Sequence, residues 1–333
     1  MKKIKTAIVD LHCPIGHINI INFYIKSLKK HTSLLILNKS IKNFLNYKAD
    51  LYFDYNNNFI KKIFTFFHLY NLMVNNRIDQ VIFLSYDPLY FLIFSRLLIK
   101  KKIRIYIFEH DTLNKRKYIR FFCNKFIDKK TIRLVYNHEK KIFIKKNFKT
   151  KVHIIDHPLL KDNKSAKKIY SDKINKFEKK IINNQYIKIL IPTRDYIDKK
   201  YFFSFIRKFS GKAYFITLSK KIKTKIDNLI NLKNIKTNLI KHMDYIYLPN
   251  DNRVYDTRIS SWVYVAIAHN KKVILEKSIS CSYEKKRFPQ FIIEAKKFKL
   301  KKLRKINIQI HKKFINNYNR NAIVRLKEII FNT

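Results

Sequence analysis

Five prolines punctuate this chain in one consistent way. Pro14, Pro88, Pro158, Pro192 and Pro249 each follow a short apolar run. Proline carries no N–H for a ladder hydrogen bond, so it stops a strand or stands just beyond one. The runs before these prolines are four to seven residues long and rich in Ile, Val, Leu, Phe and Tyr, as buried strands are. Between them lie helical patterns such as Ile18, Ile21, Ile25 and Leu28, which share one face. Strand, proline and helix recurring in this order predict an α/β chain with parallel sheets, the prolines marking the C-terminal edge of each sheet.

At 333 residues the chain has room for roughly two domains of about 150 residues each. A connection rich in Lys and Asn over 161–184 predicts the boundary. The expected division is 1–160, a linker with a peripheral helix over 161–184, a second domain over 185–300, and basic helices over 301–333 that cross back to the first domain. In the first half, strands are expected at 5–11, 33–37, 51–53, 80–85, 103–108, 132–136 and 152–155. In the second they are expected at 187–191, 213–218, 234–239, 245–248 and 273–275, with a helix over 223–232. The apolar window 81–99 is long enough to span a bilayer, but it contains Asp87, Pro88 and Arg96 and reads as strand, loop and helix.

Only 2 glycines are present, which excludes the glycine-rich dinucleotide fingerprint and the P-loop. The three cysteines form no C-x-x-C pair, so neither a zinc ribbon nor a disulfide framework is expected, and no metal motif is evident. The N-terminus reads as a strand rather than a signal peptide. The expected location is therefore cytoplasmic. The formal charge of +50 attracts polyanions and anionic lipid. Its even spread along the chain favours a membrane face, with peripheral attachment, over a nucleic-acid-binding arm.

Polar and titratable residues gather at the expected strand ends: His12 and His17, Asp87, Glu109-His110-Asp111, His138-Glu139 and Asp156-His157. Strand ends are where open α/β sheets bind ligands. Gly16, at a strand-to-helix turn, permits close approach of a ligand. In the second half, the stretch 187–199 places Arg194 just beyond a strand and Lys199 at the start of a helix, a pairing suited to phosphate. A further helix over 259–267 presents Ile259, Trp262, Val263, Ala266 and Ile267 on one face and Ser260, Ser261 and Tyr264 on the other. Its N-terminus, with Arg258, Ser260 and Ser261, is a second candidate anion site. Asn270 suits a left-handed helix end.

Taken together, these stretches resemble the GT-B glycosyltransferases, and several are similar to the large retaining family 4 of bacterial lipopolysaccharide and capsule synthesis. Gly16 matches its donor-phosphate loop and His110-Asp111 its His-Asp pair. Arg194 and Lys199 match its diphosphate clamp, and 265–274 resembles its Glu-Ala-Met-Ala segment. The paired glutamates of that family are absent, their places taken by Thr257 and Val265. The resemblance implies two Rossmann-like domains facing across a cleft, and transfer of sugar from a nucleotide-diphosphate donor to a lipid-linked or saccharide acceptor without a metal cofactor. His110 and Asp111 would be catalytic. Gly16, Arg194, Lys199, Arg258, Ser260, Ser261 and Glu276 would bind the donor. Anionic membrane is the expected partner surface, and no specific nucleic acid is expected. Two alternatives remain open: a sugar-nucleotide epimerase of the same fold, and a non-catalytic basic protein binding membrane or nucleic acid.

Overall fold

The structure is a computed structural model. It describes residues 4–11, 18–54, 59–109, 118–161, 183, 185–193, 197–218, 222, 226, 228–232, 237–249, 261–276, 282–301 and 307–332. The chain divides into two compact units, Met1–Pro158 with Asn321–Thr333, and Leu159–Arg320.

Unit 1 is built on a parallel sheet. Its strands are β1 (Thr6–Asp10), β2 (Thr32–Asn38), β3 (Leu51–Phe53), β4 (Gln80–Ser85), β5 (Arg104–Phe108), β6 (Ile132–Val135) and β7 (Val152–Ile154). They lie in the order β3-β2-β1-β4-β5-β6-β7, seven among the described residues. The central strands are buried on both faces, and the residues of β1 are buried throughout, which is why they read as unbroken apolar runs. Helix α1 (Ile18–Leu28) follows β1 and buries Ile18, Ile21, Ile25 and Leu28, the face expected from their spacing. Four helices follow the later strands: α2 (Phe59–Asn75), α3 (Pro88–Lys100), α4 (Tyr118–Phe126) and α5 (His138–Phe148). Asp87 caps α3 by accepting from the Leu89 N–H at 3.1 Å, and Pro88 occupies the first turn, where its missing N–H costs nothing. The apolar window 81–99 is thus most of β4 and α3, and no helix among the described residues is long and apolar enough to cross a membrane.

Unit 2 holds a second parallel sheet: β8 (Ile187–Ile191), β9 (Ala213–Thr217), β10 (Leu229–Asn231), β11 (Tyr245–Leu248), β12 (Lys272–Leu275) and β13 (Ile292–Glu294). The order is β10-β9-β8-β11-β12-β13, six among the described residues. Helices α6 (Lys199–Lys208), α7 (Thr237–Lys241), α8 (Ser261–Ala268) and α9 (Ser282–Arg287) accompany it. The last helix, α10 (Ile308–Phe331), belongs to unit 2 up to Arg320 and to unit 1 from Asn321. In unit 2, Asn319 on this helix bonds both the N–H and the carbonyl of Leu159 at 2.9 Å. In unit 1, Leu326 and Ile330 are buried, and the Tyr106 hydroxyl donates to the Ile330 carbonyl at 3.3 Å.

Three expectations for unit 2 are corrected. Residues 229–231 form the edge strand β10 rather than the end of a helix. Asn228 takes φ 64°, and the strand pairs with Phe215–Thr217, so sheet pairing overrides the helical spacing of Ile226, Leu229 and Ile230. Residues 237–241 are helical rather than a strand. On α8, Tyr264 is buried with Val263, Ala266 and Ile267 and donates to Glu284 at 2.8 Å, so the tyrosine expected on the polar side is enclosed. Asn270 does take the left-handed conformation, at φ 58°.

One ionic network ties the unit 1 sheet together. Arg133, inside β6, is fully buried against Glu109, which follows β5 and is also fully buried. The same guanidinium donates to Asn124 Oδ1 at 2.9 Å and to the Asn124 carbonyl at 3.3 Å, and it lies 5.0 Å from the Phe148 ring centroid. The Tyr86 hydroxyl donates to Glu109 and is 2.9 Å from Asn124 Oδ1. Removing one member leaves the other charge stranded. Glu109→Leu should lower unfolding stability by about 3–5 kcal/mol, and adding Arg133→Met should restore much of it. Urea unfolding of the two variants beside the parent checks this.

Candidate functional site

In a parallel sheet the crevice for ligand lies outside the strand C-termini where the strand order reverses. In unit 1 that point is between β1 and β4. There the Ser85 hydroxyl donates to Asp10, and both residues end their strands. Moving outward along the same edge come Asp87, Glu109, Tyr136, Lys140, Asp156 and His157. Glu109 is held in the Arg133 network, and the Lys140 ammonium donates to the Glu109 carbonyl at 2.9 Å. Burial pulls the Lys140 pKa down to about 8, against the opposing pull of Glu109. The hydroxyls of Tyr136 and Tyr24 lie 3.3 Å apart, and burial pushes the Tyr136 phenol up. Asp156 faces Arg325 at 3.8 Å, and His157 Nδ1 is 2.9 Å from the Pro158 carbonyl oxygen. This edge is therefore densely polar but internally bonded. Glu109 is fixed just beyond the end of β5.

In unit 2 the order reverses between β8 and β11. Pro192 and Thr193 follow β8, and Pro249 follows β11. Asp198 caps α6, its carboxylate accepting from the Lys200 and Tyr201 N–H groups at 3.0 and 3.3 Å. Its own N–H donates to the Pro249 carbonyl at 3.0 Å, tying the start of α6 to the end of β11. Lys199 is the first residue of that helix and is exposed. Tyr247 of β11 packs against the same helix. Its ring stacks on Phe205 of α6 at 3.9 Å, and its hydroxyl donates to Glu276 while lying 3.3 Å from the Tyr201 carbonyl oxygen. Glu276, just beyond β12, is half-buried. Burial raises its pKa, the Tyr247 hydrogen bond opposes that rise, and the nearby Asp198 carboxylate adds to it. The result is a carboxyl group, a phenol and a helix N-terminus bearing an exposed lysine, all at the C-terminal edge of one sheet. Such a group can hold a polyhydroxylated, phosphorylated ligand through hydroxyl–carboxylate bonds and cation–phosphate contacts.

Of the sequence candidates, Lys199, Ser261 and Glu276 are described. Lys199 opens α6, Ser261 is exposed at the start of α8, and Glu276 ends β12. Gly16, His110, Asp111, Arg194, Arg258 and Ser260 lie outside the described residues, as does nearly all of the expected linker. Sequence reasoning missed Tyr247, Arg133 and Lys140. Arg133 carried a signal, since a lone charge inside the apolar run 132–135 requires a buried partner. Among the described residues no cluster of His, Cys, Asp or Glu could hold a metal ion.

No protein-family model matches the sequence, and no curated protein matches it. Solved structures do. A glycosyltransferase from Rickettsia africae ESF-5 superposes with a TM-score of 0.59 at 14% identity, covering 100% of both chains. Trehalose-6-phosphate synthase from E. coli, bound with UDP-2-fluoro glucose, gives 0.56 at 8% identity over 98% of each chain. The UDP-GlcNAc 2-epimerase of Methanocaldococcus jannaschii gives 0.53 at 12% identity, covering 95% of this chain and 100% of the other. The chain has the GT-B fold. The two units are its two Rossmann-like domains, and of these three similar structures one is a UDP-sugar epimerase and another holds a UDP-sugar analogue.

The pH behaviour of Glu276 follows from its surroundings. Its folded pKa is raised, so the native state binds this proton more tightly than the unfolded chain. The stability it contributes is present below the unfolded value, about 4.3, and is lost as pH rises through the folded value. Tyr247→Phe removes the opposing hydrogen bond and should raise the Glu276 pKa further, as read by carboxyl NMR titration.

Proposed function

We propose that this chain is a glycosyltransferase that moves a sugar from a nucleotide-diphosphate donor to a lipid-linked or saccharide acceptor in bacterial surface-polysaccharide synthesis. The observation that carries the reading is the unit 2 group of Lys199, Asp198, Tyr247 and Glu276 at the strand C-termini of a GT-B fold. Two of the similar structures are a glycosyltransferase and a trehalose-6-phosphate synthase holding a UDP-sugar analogue.

In this reading unit 2 takes the donor. Arg194 and Lys199 neutralise the charge that develops on the departing diphosphate, the role a metal fills elsewhere. Gly16 lets the chain approach the phosphates, and Arg258, Ser260 and Ser261 add donors from the start of α8. Glu276, aligned by Tyr247, accepts from donor hydroxyls. His110 and Asp111 orient the transferred sugar and take the acceptor proton. Glu109 and Arg133 hold the strand end before them.

Epimerisation of a nucleotide sugar is the second reading, favoured by the likeness to the M. jannaschii epimerase. It needs carboxylates free to move protons. At the described edge of unit 1, Asp87, Glu109 and Asp156 are engaged as a helix cap and as ion-pair partners, so the proton-moving carboxylate in either reading is sought elsewhere. Incubation with a UDP-sugar, with and without an acceptor extract, separates the two. Transfer gives product only with acceptor, whereas an epimer formed from donor alone contradicts it. Arg194→Ala should cut transfer by about 10²–10³-fold with an unchanged melting temperature. Near-parental transfer by that variant would remove Arg194 from the mechanism.

A further inference from the structure

Unit 1 displays an apolar surface that its own core does not use. Helices α2, α3 and α4 are neighbours on one face of the sheet. Ile60, Phe64 and Phe67 line the outer side of α2, and Phe64 is 68% exposed. On α3, Leu89 and Ile93 stand outward, with Ile93 at 61%. On α4 it is Ile119, Phe122 and Phe126. Phe122 is 58% exposed, and the Phe122 and Phe126 rings pack on each other at 4.8 Å. Exposed apolar side chains gathered on three adjacent helices mark an interaction surface rather than scattered surface residues.

The charges on these three helices are all of one sign, the nearest acids in sequence being Asp87 at the start of α3, paired with Lys62, and Asp128 beyond α4. None of the three helices contains an Asp or a Glu. Their exposed cations include Lys61, Arg96, Lys100 and Lys125. The order along α3 is informative: Leu89 and Ile93 come first, then Arg96 and Lys100. The helices run back from strand C-termini, so their N-terminal halves lie toward the C-terminal edge of the sheet. On α2 and α3 the apolar part of the surface is therefore the part nearest the edge that carries Asp10, Ser85 and Glu109.

We propose that this face seats unit 1 on an anionic lipid bilayer. Phe64, Ile93 and Phe122 enter the boundary between headgroups and acyl chains, while Arg96, Lys100 and Lys125 meet lipid phosphates. Aromatic and aliphatic residues bordered by cations, with no acid among them, suit an anionic interface. A second copy of this chain is a poor occupant, since its own charge of +50 repels. The inference rests on the surface alone and does not depend on the chemistry proposed above.

Vesicle flotation without nucleotide tests it. The net charge alone would adsorb the protein to phosphatidylglycerol vesicles, but only at low salt. Screening shortens to about 3 Å at 1 M salt and strips purely electrostatic adsorption. The full-length protein should keep a salt-resistant bound fraction on these vesicles. The triple variant F64S/I93S/F122S should lose that fraction by about tenfold or more, with an unchanged melting temperature because all three side chains are exposed. If the parent is stripped completely at high salt, or the variant stays bound like the parent, the proposal fails. It fails equally if the variant binds vesicles normally and instead loses self-association in sedimentation, which would assign the face to a second copy.

Discussion

The buried pair of Arg133 and Glu109 is the constraint on which unit 1 depends. A guanidinium and a carboxylate, both fully buried, tie β5 to β6 and draw in Asn124 of α4 and Tyr86 beyond β4. Desolvating two charges is costly, and the cost is offset only when the remaining donors and acceptors are also satisfied. Here Tyr86, Asn124 and the Phe148 ring supply most of those contacts, and Arg133 Nε is left without a hydrogen-bond partner among the described residues. A network that is stable only in one arrangement specifies register, and it specifies the position of the β5 end.

Unit 2 solves a related problem with lighter means. Asp198, Tyr247 and Glu276 come from a helix cap, a strand and a strand end. Hydrogen bonding and ring stacking on Phe205 hold Tyr247, and Tyr247 in turn holds Glu276. The surrounding chain is strongly basic, so a half-buried carboxyl with a raised pKa is distinctive. It offers an acceptor amid donors, which is what recognition of a phosphorylated, hydroxyl-rich ligand requires.

Much of the architecture was legible in the sequence because apolar runs and prolines report backbone pairing directly. The runs 51–53, 80–85, 187–191 and 245–248 coincide with β3, β4, β8 and β11. Errors arose where tertiary pairing outweighed local pattern. Leu229–Asn231 carries helical spacing yet completes a sheet edge beside β9. The strand Ile292–Glu294 and helix α9 are short, three and six residues, and their period was too brief to read. Tyr264 looked like part of a polar face because its hydroxyl is visible in sequence and its partner Glu284, twenty residues on, is not. Around the candidate site, the places of Lys199 at a helix start and of Glu276 just past a strand were legible. Tyr247 was not, because a tyrosine within an apolar strand gives no sign that its hydroxyl reaches a neighbouring strand end.

The central claim is that unit 2 binds a nucleotide-diphosphate sugar. Titration calorimetry of the full-length protein against UDP-, GDP-, ADP- and CMP-sugars tests it most directly. The account predicts saturable binding of a diphosphate sugar, UDP-linked by analogy with the similar enzymes, and weakened binding in the Glu276→Gln variant. Equal heats from every polyanion, including inorganic pyrophosphate, all abolished by salt and unchanged in that variant, would contradict it.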